Sequence, residues 1–436
     1  MTLIRVAADI GGTFTDIALE TPTGLRTSKV LTTAQEPATG VLRGIEEVLN
    51  EAGINASDID VFIHGTTLAT NALIERRGAI TALLTTEGLR DSVEMAHENR
   101  FEQYDLAMTR PEPLVPRDLR FGIPERLDST GRVLKELDTN ALETAVQAMK
   151  EQNVESVAIG FLHSYANNSH ERQAAKVVQE LWPEVSVTLS SEVCPEIREY
   201  ERFSTACANA YIQPLVRRYL QDLESRRRAL SMTCPMLLMQ SGGGLGTLDD
   251  ALRFPVRLVE SGPAGGALLS AELARSFQLE KALSFDMGGT TAKLCIINDG
   301  YPRTSREFEV GREYRFLAGS GLPLRLPVIE MVEIGAGGSS IAQLDALGRI
   351  AVGPTSAGSE PGPACYGRGG DAPTVTDADV ALGRILADGF GRSELEFSKK
   401  AAVHAINDAI LSTETQDPIL AALGIVETVD ENMASA

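Results

Sequence analysis

The feature that most constrains this 436-residue chain is a short motif, Asp-x-Gly-Gly-Thr, that occurs twice at widely separated positions. The two copies are Asp9, Gly11, Gly12 and Thr13 near the amino terminus, and Asp286, Gly288, Gly289 and Thr290 downstream. Each copy lies between two β-favouring runs and is followed by a turn and a third run, so the pattern predicts strand, glycine turn, strand, hairpin and strand. In Rossmann and Walker loops a helix follows the glycines directly, whereas here the first helix is expected over residues 37–49.

An internal repeat separated by nearly a domain length predicts two similar α/β domains that face each other and share a ligand between their turns. The alternation continues between the copies, with helices expected over residues 141–150 and 171–181 and a strand over residues 157–162. We expect one domain over residues 1–190 with the first turn, and another over residues 191–436 with the second. This is a cleft architecture.

Composition disfavours several classes of function. Hydrophobic residues make up 43% of the chain and charged residues 23%, which is a globular balance. The formal net charge of -20 argues against nucleic acids and anionic membranes as partners.

An arginine-rich stretch over residues 217–228 has helical spacing and is expected to form a solvated helix face. The five cysteines lack CxxC spacing, which indicates reduced thiols. The sequence shows no apolar run that resembles a signal peptide or is long enough to cross a membrane, so we expect a cytoplasmic protein.

The glycine turns favour nucleotide chemistry. A turn without side chains lets backbone N–H groups, together with the Thr13 and Thr290 hydroxyls, approach phosphate oxygens closely. Asp9 and Asp286 are candidate ligands of Mg²⁺, and two opposed turns suit the β- and γ-phosphates of ATP. Further candidates in the same turns are Thr15, Asp16 and Thr291. A single copy would be read as an ordinary hairpin, but two copies in identical order favour a nucleotide site.

Two further glycine clusters are candidate parts of this site. One consists of Gly335, Gly337, Gly338 and Ser339, followed by Ser340. A backbone surface without side chains suits adenine or ribose, although a β-bulge or a bend gives the same pattern. The other consists of Gly262, Gly265 and Gly266. It precedes an apolar helical pattern, so its N–H groups are expected to form an anion-binding helix start.

Two side chains are candidates for catalysis. Lys293 shares a strand face with Thr291 by the two-residue period, and it either reaches the γ-phosphate or an anionic substrate or is a surface lysine. His64 follows a strand candidate and precedes a helix, where it either positions substrate, acts as an acid or serves only the junction. Glycine and proline crowd residues 353–373, which predicts a long ordered loop there, either a lid or a simple connector.

Seven motifs run in a fixed order over nearly the whole chain. They are Asp9-Ile-Gly-Gly-Thr-Phe-Thr-Asp16, His64-Gly-Thr-Thr67, Thr86-Glu-Gly-Leu-Arg-Asp91, Glu196-Ile-Arg-Glu-Tyr-Glu201, Ser261-Gly-Pro-Ala-Gly-Gly266, Phe285-Asp-Met-Gly-Gly-Thr290 and Gly362-Pro-Ala-Cys-Tyr-Gly-Arg-Gly369. Together they resemble the hydantoinase A and 5-oxoprolinase family. The resemblance implies a two-lobed actin-like, ribonuclease H-like α/β fold with ATP in an interdomain cleft. It also implies a hydantoinase B-type partner in a hetero-oligomer and a small cyclic amide or ketone as substrate.

The second turn departs from the amide-opening members. Gly288-Gly-Thr-Thr-Ala-Lys293 stands where many of them have Gly-Gly-Thr-Ser-Thr-Asp, and it resembles acetone- and acetophenone-type carboxylases more closely. Family members also continue past residue 433, so a truncated or split subunit is expected. We therefore expect an ATP-binding subunit that phosphorylates an amide, imide or enol oxygen to drive ring opening by hydrolysis. The alternatives are a carboxylase subunit, a stand-alone small-molecule kinase and a non-catalytic nucleotide switch.

Overall fold

The computed structural model describes residues 3–11, 14–33, 36–312, 317–358, 360–386, 397–411 and 417–435. The strands are β1 (Arg5–Ile10), β2 (Phe14–Thr21), β3 (Gly24–Leu31), β4 (Val61–Thr66), β5 (Thr81–Thr86), β6 (Arg120–Ile123), β7 (Arg126–Leu127), β8 (Val133–Lys135), β9 (Ser156–Gly160), β10 (Ser186–Leu189), β11 (Met236–Met239), β12 (Leu245–Thr247), β13 (Lys281–Met287), β14 (Ala292–Asn298), β15 (Tyr301–Pro302), β16 (Thr304–Val310), β17 (Leu322–Ile329), β18 (Val332–Ile334), β19 (Ser340–Leu344) and β20 (Ile350–Ser356). The helices are α1 (Pro37–Ala52), α2 (Leu68–Ile74), α3 (Ser92–Met95), α4 (Thr139–Glu151), α5 (Ser169–Leu181), α6 (Ser190–Val193), α7 (Glu199–Ala229), α8 (Leu248–Arg253), α9 (Ser261–Ser276), α10 (Val375–Leu382), α11 (Lys399–Ile410) and α12 (Pro418–Ser435). The predicted α/β class is confirmed, and none of the helices described is long and apolar enough to cross a membrane.

Contacts divide the chain into two units that are each assembled from separate stretches of sequence. Unit 1 comprises Met1–Ile63, Gly265–Arg303 and Glu330–Ala436, and unit 2 comprises His64–Ala264 and Thr304–Ile329. Both copies of the repeat, and the glycine cluster at residues 335–339, therefore belong to unit 1. The predicted domain boundary near residue 190 divides the sequence into two continuous segments, whereas each unit is assembled from separate stretches. The boundary stays a prediction.

The amino-terminal segment of unit 1 forms the predicted strand, turn and strand. β1 pairs with β2 and β2 with β3, all antiparallel, and Asp9 lies opposite Asp16. Alternate side chains of β2 are buried, which is the period of a half-buried strand. α1 has Pro37 in its first turn and ends at Gly53, whose φ of 67° is the left-handed conformation that terminates helices. The helix predicted over residues 37–49 is therefore confirmed, and it extends to Ala52.

The second copy repeats the hairpin but shortens its third strand. β13 and β14 are antiparallel, with Asp286 opposite Lys293. The following β15 has only two residues, and β14 also pairs with β18. A core of alanine, valine and isoleucine side chains from β14, β18 to β20 and α10 to α12 supports this part of unit 1. A packed apolar core therefore supports the second turn.

Unit 2 is organised around a parallel sheet with the strand order β10, β9, β5 and β6. β9, α4 and α5 confirm the strand and the two helices predicted between the repeats, with boundaries shifted by one or two residues. The long helix α7 contributes Phe203, Ala206 and Ala210 to the core of this sheet. A Cβ added at Gly160 would lie 2.5 Å from the Phe203 ring, so glycine on β9 allows α7 to approach closely.

Two predictions need correction. Residues 353–356 of the predicted loop belong to β20, which pairs only with β19 in a two-stranded sheet, and an edge position of this kind tolerates Pro354. Arg227, in the arginine-rich stretch, is not on a solvated face, because it is only 2% exposed. Its guanidinium donates to the carbonyls of Met232 and Cys234 at 2.7 and 2.8 Å, and these bonds replace the lost water.

All five cysteines are free and buried, as expected for reduced thiols. Burial raises the pKa of Cys194 to about 11 and the pKa of Cys207 to about 12. These thiols stay protonated at neutral pH, and so they are poor nucleophiles and poor metal ligands.

Candidate functional site

The two glycine turns have the same backbone geometry. The amide of Gly11 donates to the carbonyl of Phe14 at 2.9 Å. At the equivalent positions of the second copy, the amide of Gly288 donates to the carbonyl of Thr291, also at 2.9 Å. The predicted repeat is therefore a repeat in the structure as well. Two of the predicted phosphate-binding residues, Gly12 and Thr13, lie outside the described residues.

Equivalent positions in the two turns carry opposite charges. In the first copy Asp16, on the middle strand, pairs with Lys29 of β3 at 2.5 Å. In the second copy this position is taken by Lys293, which pairs with Glu333 of β18 at 3.8 Å. Lys293 also lies opposite Asp286 across the β13–β14 pair. The structure thus places Lys293 beside the second turn among acidic residues, and its role at the γ-phosphate stays a prediction.

Asp9 has an unusual electrostatic environment. The residue is exposed, so a ligand can reach it. The surrounding protein nevertheless raises the pKa of its carboxyl from 3.8 to about 6. Desolvation is the largest cause, repulsion from Asp16 and Asp286 adds to it, and Lys29 opposes it. The two predicted metal ligands, Asp9 and Asp286, are therefore close enough to repel each other within unit 1.

We expect the free energy of unfolding of the nucleotide-free chain to fall as Asp9 ionises. The folded protein binds this proton more tightly than the unfolded chain, in which the pKa is near 3.8, so ionisation costs stability as the pH rises from 3.8 through about 6. Asp9→Asn removes this ionisation. Thermal unfolding at a series of pH values should show the Tm of the variant increasing relative to the wild type across this window. A Tm difference that does not change with pH would contradict the assignment.

The glycine cluster at residues 335–339 is built directly onto the second turn. The amide of Gly338 donates to the carbonyl of Gly288 at 3.0 Å, and the amide of Ser339 donates to the carbonyl of Gly289 at 2.6 Å. A Cβ added at Gly337 would lie 2.7 Å from the backbone of Gly289, which is closer than packed atoms come, so this position requires glycine. The structure therefore joins two of the predicted parts of the site into one backbone surface.

Asp377 was not among the residues predicted from the sequence. This buried carboxylate accepts hydrogen bonds from the hydroxyl of Thr374 at 2.8 Å and from the amide of Cys365 at 2.7 Å. Next to it, the Thr376 hydroxyl donates to the carbonyl of Gly338 at 2.8 Å. Asp377 thus ties the Gly-Pro-Ala-Cys motif to α10, and Thr376 ties α10 to the glycine cluster. The sequence does carry a signal for it, because Thr-x-x-Asp at residues 374–377 is a capping box.

Thr15 and His64 are both fully buried. The Thr15 hydroxyl lies 3.0 Å from the hydroxyl of Thr32, which donates to the carbonyl of Gly11 at 3.0 Å, so Thr15 supports the first turn from inside. His64 Nε2 lies 2.7 Å from the buried hydroxyl of Tyr219. These contacts favour the structural interpretation of His64, and direct roles for Thr15 and His64 in binding or catalysis stay predictions.

The remaining glycine cluster lies inside the beginning of α9. The helix starts at Ser261, so the cluster is part of the helix rather than preceding it, and the Ser261 hydroxyl donates to the carbonyl of Thr66 at 3.2 Å. Gly262, Gly265 and Gly266 follow in its first two turns, and the space next to Gly266 is open. Anion binding at this helix start stays a prediction.

Asp9 and Asp286 fit a Mg²⁺ ion that arrives with a nucleotide. Within the described residues, no group of three or more His, Cys, Asp or Glu side chains is arranged to hold a metal ion by itself. Mg²⁺ in nucleotide sites usually takes only one or two protein carboxylates and completes its shell with water and phosphate oxygens. The repulsion between Asp9 and Asp286 is what a bound cation would relieve. The pair therefore suits MgATP better than a free-standing metal centre.

Comparisons with known sequences place the chain near subunits of two enzymes. It is 37% identical to caprolactamase subunit alpha from Pseudomonas jessenii, over 99% of this chain and 62% of that protein. It is 32% identical to acetophenone carboxylase gamma subunit from Aromatoleum aromaticum, over 98% of this chain and 60% of that protein. The chain therefore spans less than two thirds of the length of these relatives.

Solved structures agree with this placement. The crystal structure of ATP-dependent caprolactamase from Pseudomonas jessenii matches with a TM-score of 0.79 and 35% identity, over 99% of this chain and 62% of that one. Nucleotide-free acetone carboxylase matches with a TM-score of 0.84 and 24% identity, over 100% of this chain and 62% of that one, which shows a shared fold. The family model for the hydantoinase/oxoprolinase N-terminal region matches residues 5–182, and the hydantoinase/oxoprolinase model matches residues 202–436. The chain belongs to the hydantoinase/oxoprolinase family.

Proposed function

We propose that the chain is the ATP-binding subunit of an ATP-dependent enzyme that opens a cyclic amide by hydrolysis. It transfers the γ-phosphoryl group of MgATP to an amide, imide or enol oxygen, which converts a poor electrophile into a reactive intermediate. The observation that carries the proposal is the pair of matching glycine turns in unit 1, with Asp9 and Asp286 close enough to repel each other. Its 37% identity to caprolactamase subunit alpha supports the substrate class.

Each part of the proposed nucleotide site has a distinct task. The exposed Gly289 and Thr290 offer backbone amides to phosphate oxygens. Asp9 and Asp286 hold Mg²⁺, which neutralises charge on the phosphates when it is bound. The cluster at residues 335–339 offers a flat backbone surface to the adenosine. We further propose that the two hairpin units are the phosphate turns of an actin-like, ribonuclease H-like ATPase, which the α/β fold supports.

The proposed reaction conserves every atom in three steps. The lactam carbonyl oxygen attacks the γ-phosphorus while the bond from that phosphorus to the bridging oxygen of ADP breaks. A first water adds to the activated carbon and the ring C–N bond breaks, so the nitrogen leaves as an amine and an acyl phosphate remains. A second water attacks the carbon of the acyl phosphate, and inorganic phosphate departs with the original carbonyl oxygen, which leaves a carboxylate.

The path of that oxygen tests the proposal. When the assembled enzyme turns over a lactam labelled with ¹⁸O in its carbonyl, the label should appear in inorganic phosphate, where ³¹P NMR detects it. Unlabelled phosphate, with all of the ¹⁸O retained in the ring-opened product, would rule out this route, in which the second water attacks carbon. A stable phosphorylated product made by this chain alone would instead indicate a small-molecule kinase.

A carboxylase subunit is the second candidate function. The sequence Gly-Gly-Thr-Thr-Ala-Lys at residues 288–293 and the 32% identity to acetophenone carboxylase gamma subunit favour it. A ketone substrate would be phosphorylated on its enol oxygen, and bicarbonate would then supply the new carboxylate. ATP hydrolysis that requires both a ketone and bicarbonate would identify this activity, whereas hydrolysis that requires a lactam alone would identify the first.

We also propose that the chain works in a cytoplasmic hetero-oligomer with a hydantoinase B-type subunit. Its relatives in caprolactamase and acetophenone carboxylase are themselves named as subunits. Unit 1 exposes large apolar side chains on α9 and β13, including Leu269, Leu273 and Phe285. Exposed apolar side chains of this size are often covered by another chain, which is consistent with a partner.

A further inference from the structure

Unit 2 contains a pocket that the proposed nucleotide site does not use. It encloses about 590 Å³ of space, a volume that includes open solvent at its mouth. Its walls are formed by the segments 93–96 and 110–115, by the first turns of α7, and by residues 319–323 at the start of β17. All of these segments belong to unit 2.

Helix α7 presents one stripe of side chains to this pocket, namely Tyr200, Ser204 and Cys207. The spacing of four and three residues places them on one helix face. Ser204 is only 4% exposed, yet among the described residues neither its hydroxyl nor that of Tyr200 has a hydrogen-bond partner. Burial raises the pKa of Tyr200, so its phenol stays protonated and is available as a donor. Both residues line the pocket, so their hydroxyls are available to a polar atom of a ligand there.

Among the described residues, the charged groups that line the pocket carry no surplus positive charge for an anion. The lining holds two carboxylates, Glu94 and Glu112, against one guanidinium, Arg110. Glu94 accepts a hydrogen bond from Arg120 at 2.7 Å, and Arg110 already donates to the carbonyl of Asn99. Much of the remaining wall is apolar and includes Val93, Leu114, Val115, Leu322 and Pro323. This lining suits a small uncharged molecule with an apolar body and few polar atoms.

The motif at residues 196–201 fixes the walls of the pocket in place. Glu196 pairs with Arg306 of β16 at 2.5 Å. Glu201 lies 3.1 Å from Nε2 of His97, which follows α3, and 3.8 Å from the guanidinium of Arg325 on β17. These contacts connect the start of α7 to the residue that follows α3 and to β16 and β17. The motif at residues 196–201 therefore has a structural role in unit 2 that is separate from the proposed nucleotide site.

We propose that this pocket binds the uncharged cyclic amide itself, with the hydroxyls of Tyr200 and Ser204 donating hydrogen bonds to its carbonyl oxygen. The ring methylenes pack against Val93, Leu114 and Val115. The identity of the ligand as a cyclic amide rests on the proposed function, whereas the pocket and its two hydroxyls are independent of it.

Titration of the nucleotide-free chain with ε-caprolactam, followed by ligand-observed NMR, tests this assignment. The wild type should bind caprolactam. Tyr200→Phe and Ser204→Ala should each weaken binding by about 5–10-fold, because each removes one hydrogen bond to the carbonyl. Tyr104→Phe, at an exposed tyrosine of the same unit, is the matched control and should bind as the wild type does. All four proteins should bind MgATP equally.

Two outcomes would overturn the assignment. The pocket is wrong if caprolactam does not bind, or if it binds equally to all four proteins. The uncharged class is wrong if the anion 5-oxoproline binds more tightly than caprolactam. Neither outcome decides the proposed function, which depends on the transfer of labelled oxygen to phosphate and can fail or stand independently.

Discussion

Replacement of Asp286 or Asp9 by asparagine is expected to lower ATP turnover by on the order of 10²–10³-fold while the chain remains folded. A carboxylate that holds Mg²⁺ stabilises the charge that develops on the phosphates, and a neutral amide binds the ion far more weakly. Turnover of the purified variants at saturating MgATP measures the loss. Because desolvation and then its acidic neighbours disfavour the charged form of Asp9, Asp9→Asn should also leave the Tm at neutral pH unchanged or higher.

Asp299→Asn is the matched control for this loss. Asp299 lies on the turn that follows β14, in the same unit, and its φ of 52° is a conformation that asparagine also tolerates. This variant should retain the turnover of the wild type. Full activity in Asp9→Asn or Asp286→Asn, or an equal loss in Asp299→Asn, would refute the assignment of the two turns to MgATP.

Substrate-dependent ATP hydrolysis should be slow in the isolated chain and should rise by orders of magnitude when a hydantoinase B-type subunit and the remaining third of a caprolactamase-like chain are supplied. The chain covers only 62% of caprolactamase subunit alpha. A phosphorylated amide reacts with any water that reaches it, so efficient coupling needs an enclosure that controls water. The isolated chain should nevertheless bind MgATP, because both glycine turns lie within unit 1.

Phosphate release measured with and without lactam, before and after addition of the partner, decides this point. Asp286→Asn assembled with the same partner is the control, and it should show no stimulation. If the isolated chain couples lactam opening to ATP hydrolysis at full rate, the need for a partner is disproved.

Local features of the fold were predictable because they follow from short stretches of sequence. The two hairpins follow from glycine between β-favouring runs, and the end of α1 follows from Gly53. Burial of Arg227 was not predictable from helical spacing, because the carbonyls that satisfy its guanidinium lie beyond the end of α7. Hydrogen bonds between segments that are distant in the sequence were equally unpredictable. Nothing in the glycine cluster at residues 335–339 indicates that its amides bond to the second turn.

The candidate site could be predicted in its residues but not in its electrostatics. The motif identifies Asp9 and Asp286, whereas their mutual repulsion depends on a distance that only the fold sets. The swap of charge between Asp16 and Lys293 is visible in the sequence once the hairpins are aligned. Their partners, Lys29 and Glu333, come from strand pairing, and the second of these pairs joins β14 to a strand more than thirty residues away.

The division of unit 1 into three stretches of sequence has a consequence for synthesis on the ribosome. β1 to β3 emerge first, but β13 and β14 emerge only after all of residues 64–264. At roughly 5–20 residues per second, the amino-terminal strands wait for about 13–50 s before the second turn exists. β3 is an edge strand during that time and in the finished sheet, and it carries Arg26 and Lys29. Charged edge strands resist pairing with neighbouring chains, so this edge is protected from aggregation during translation as well as after it.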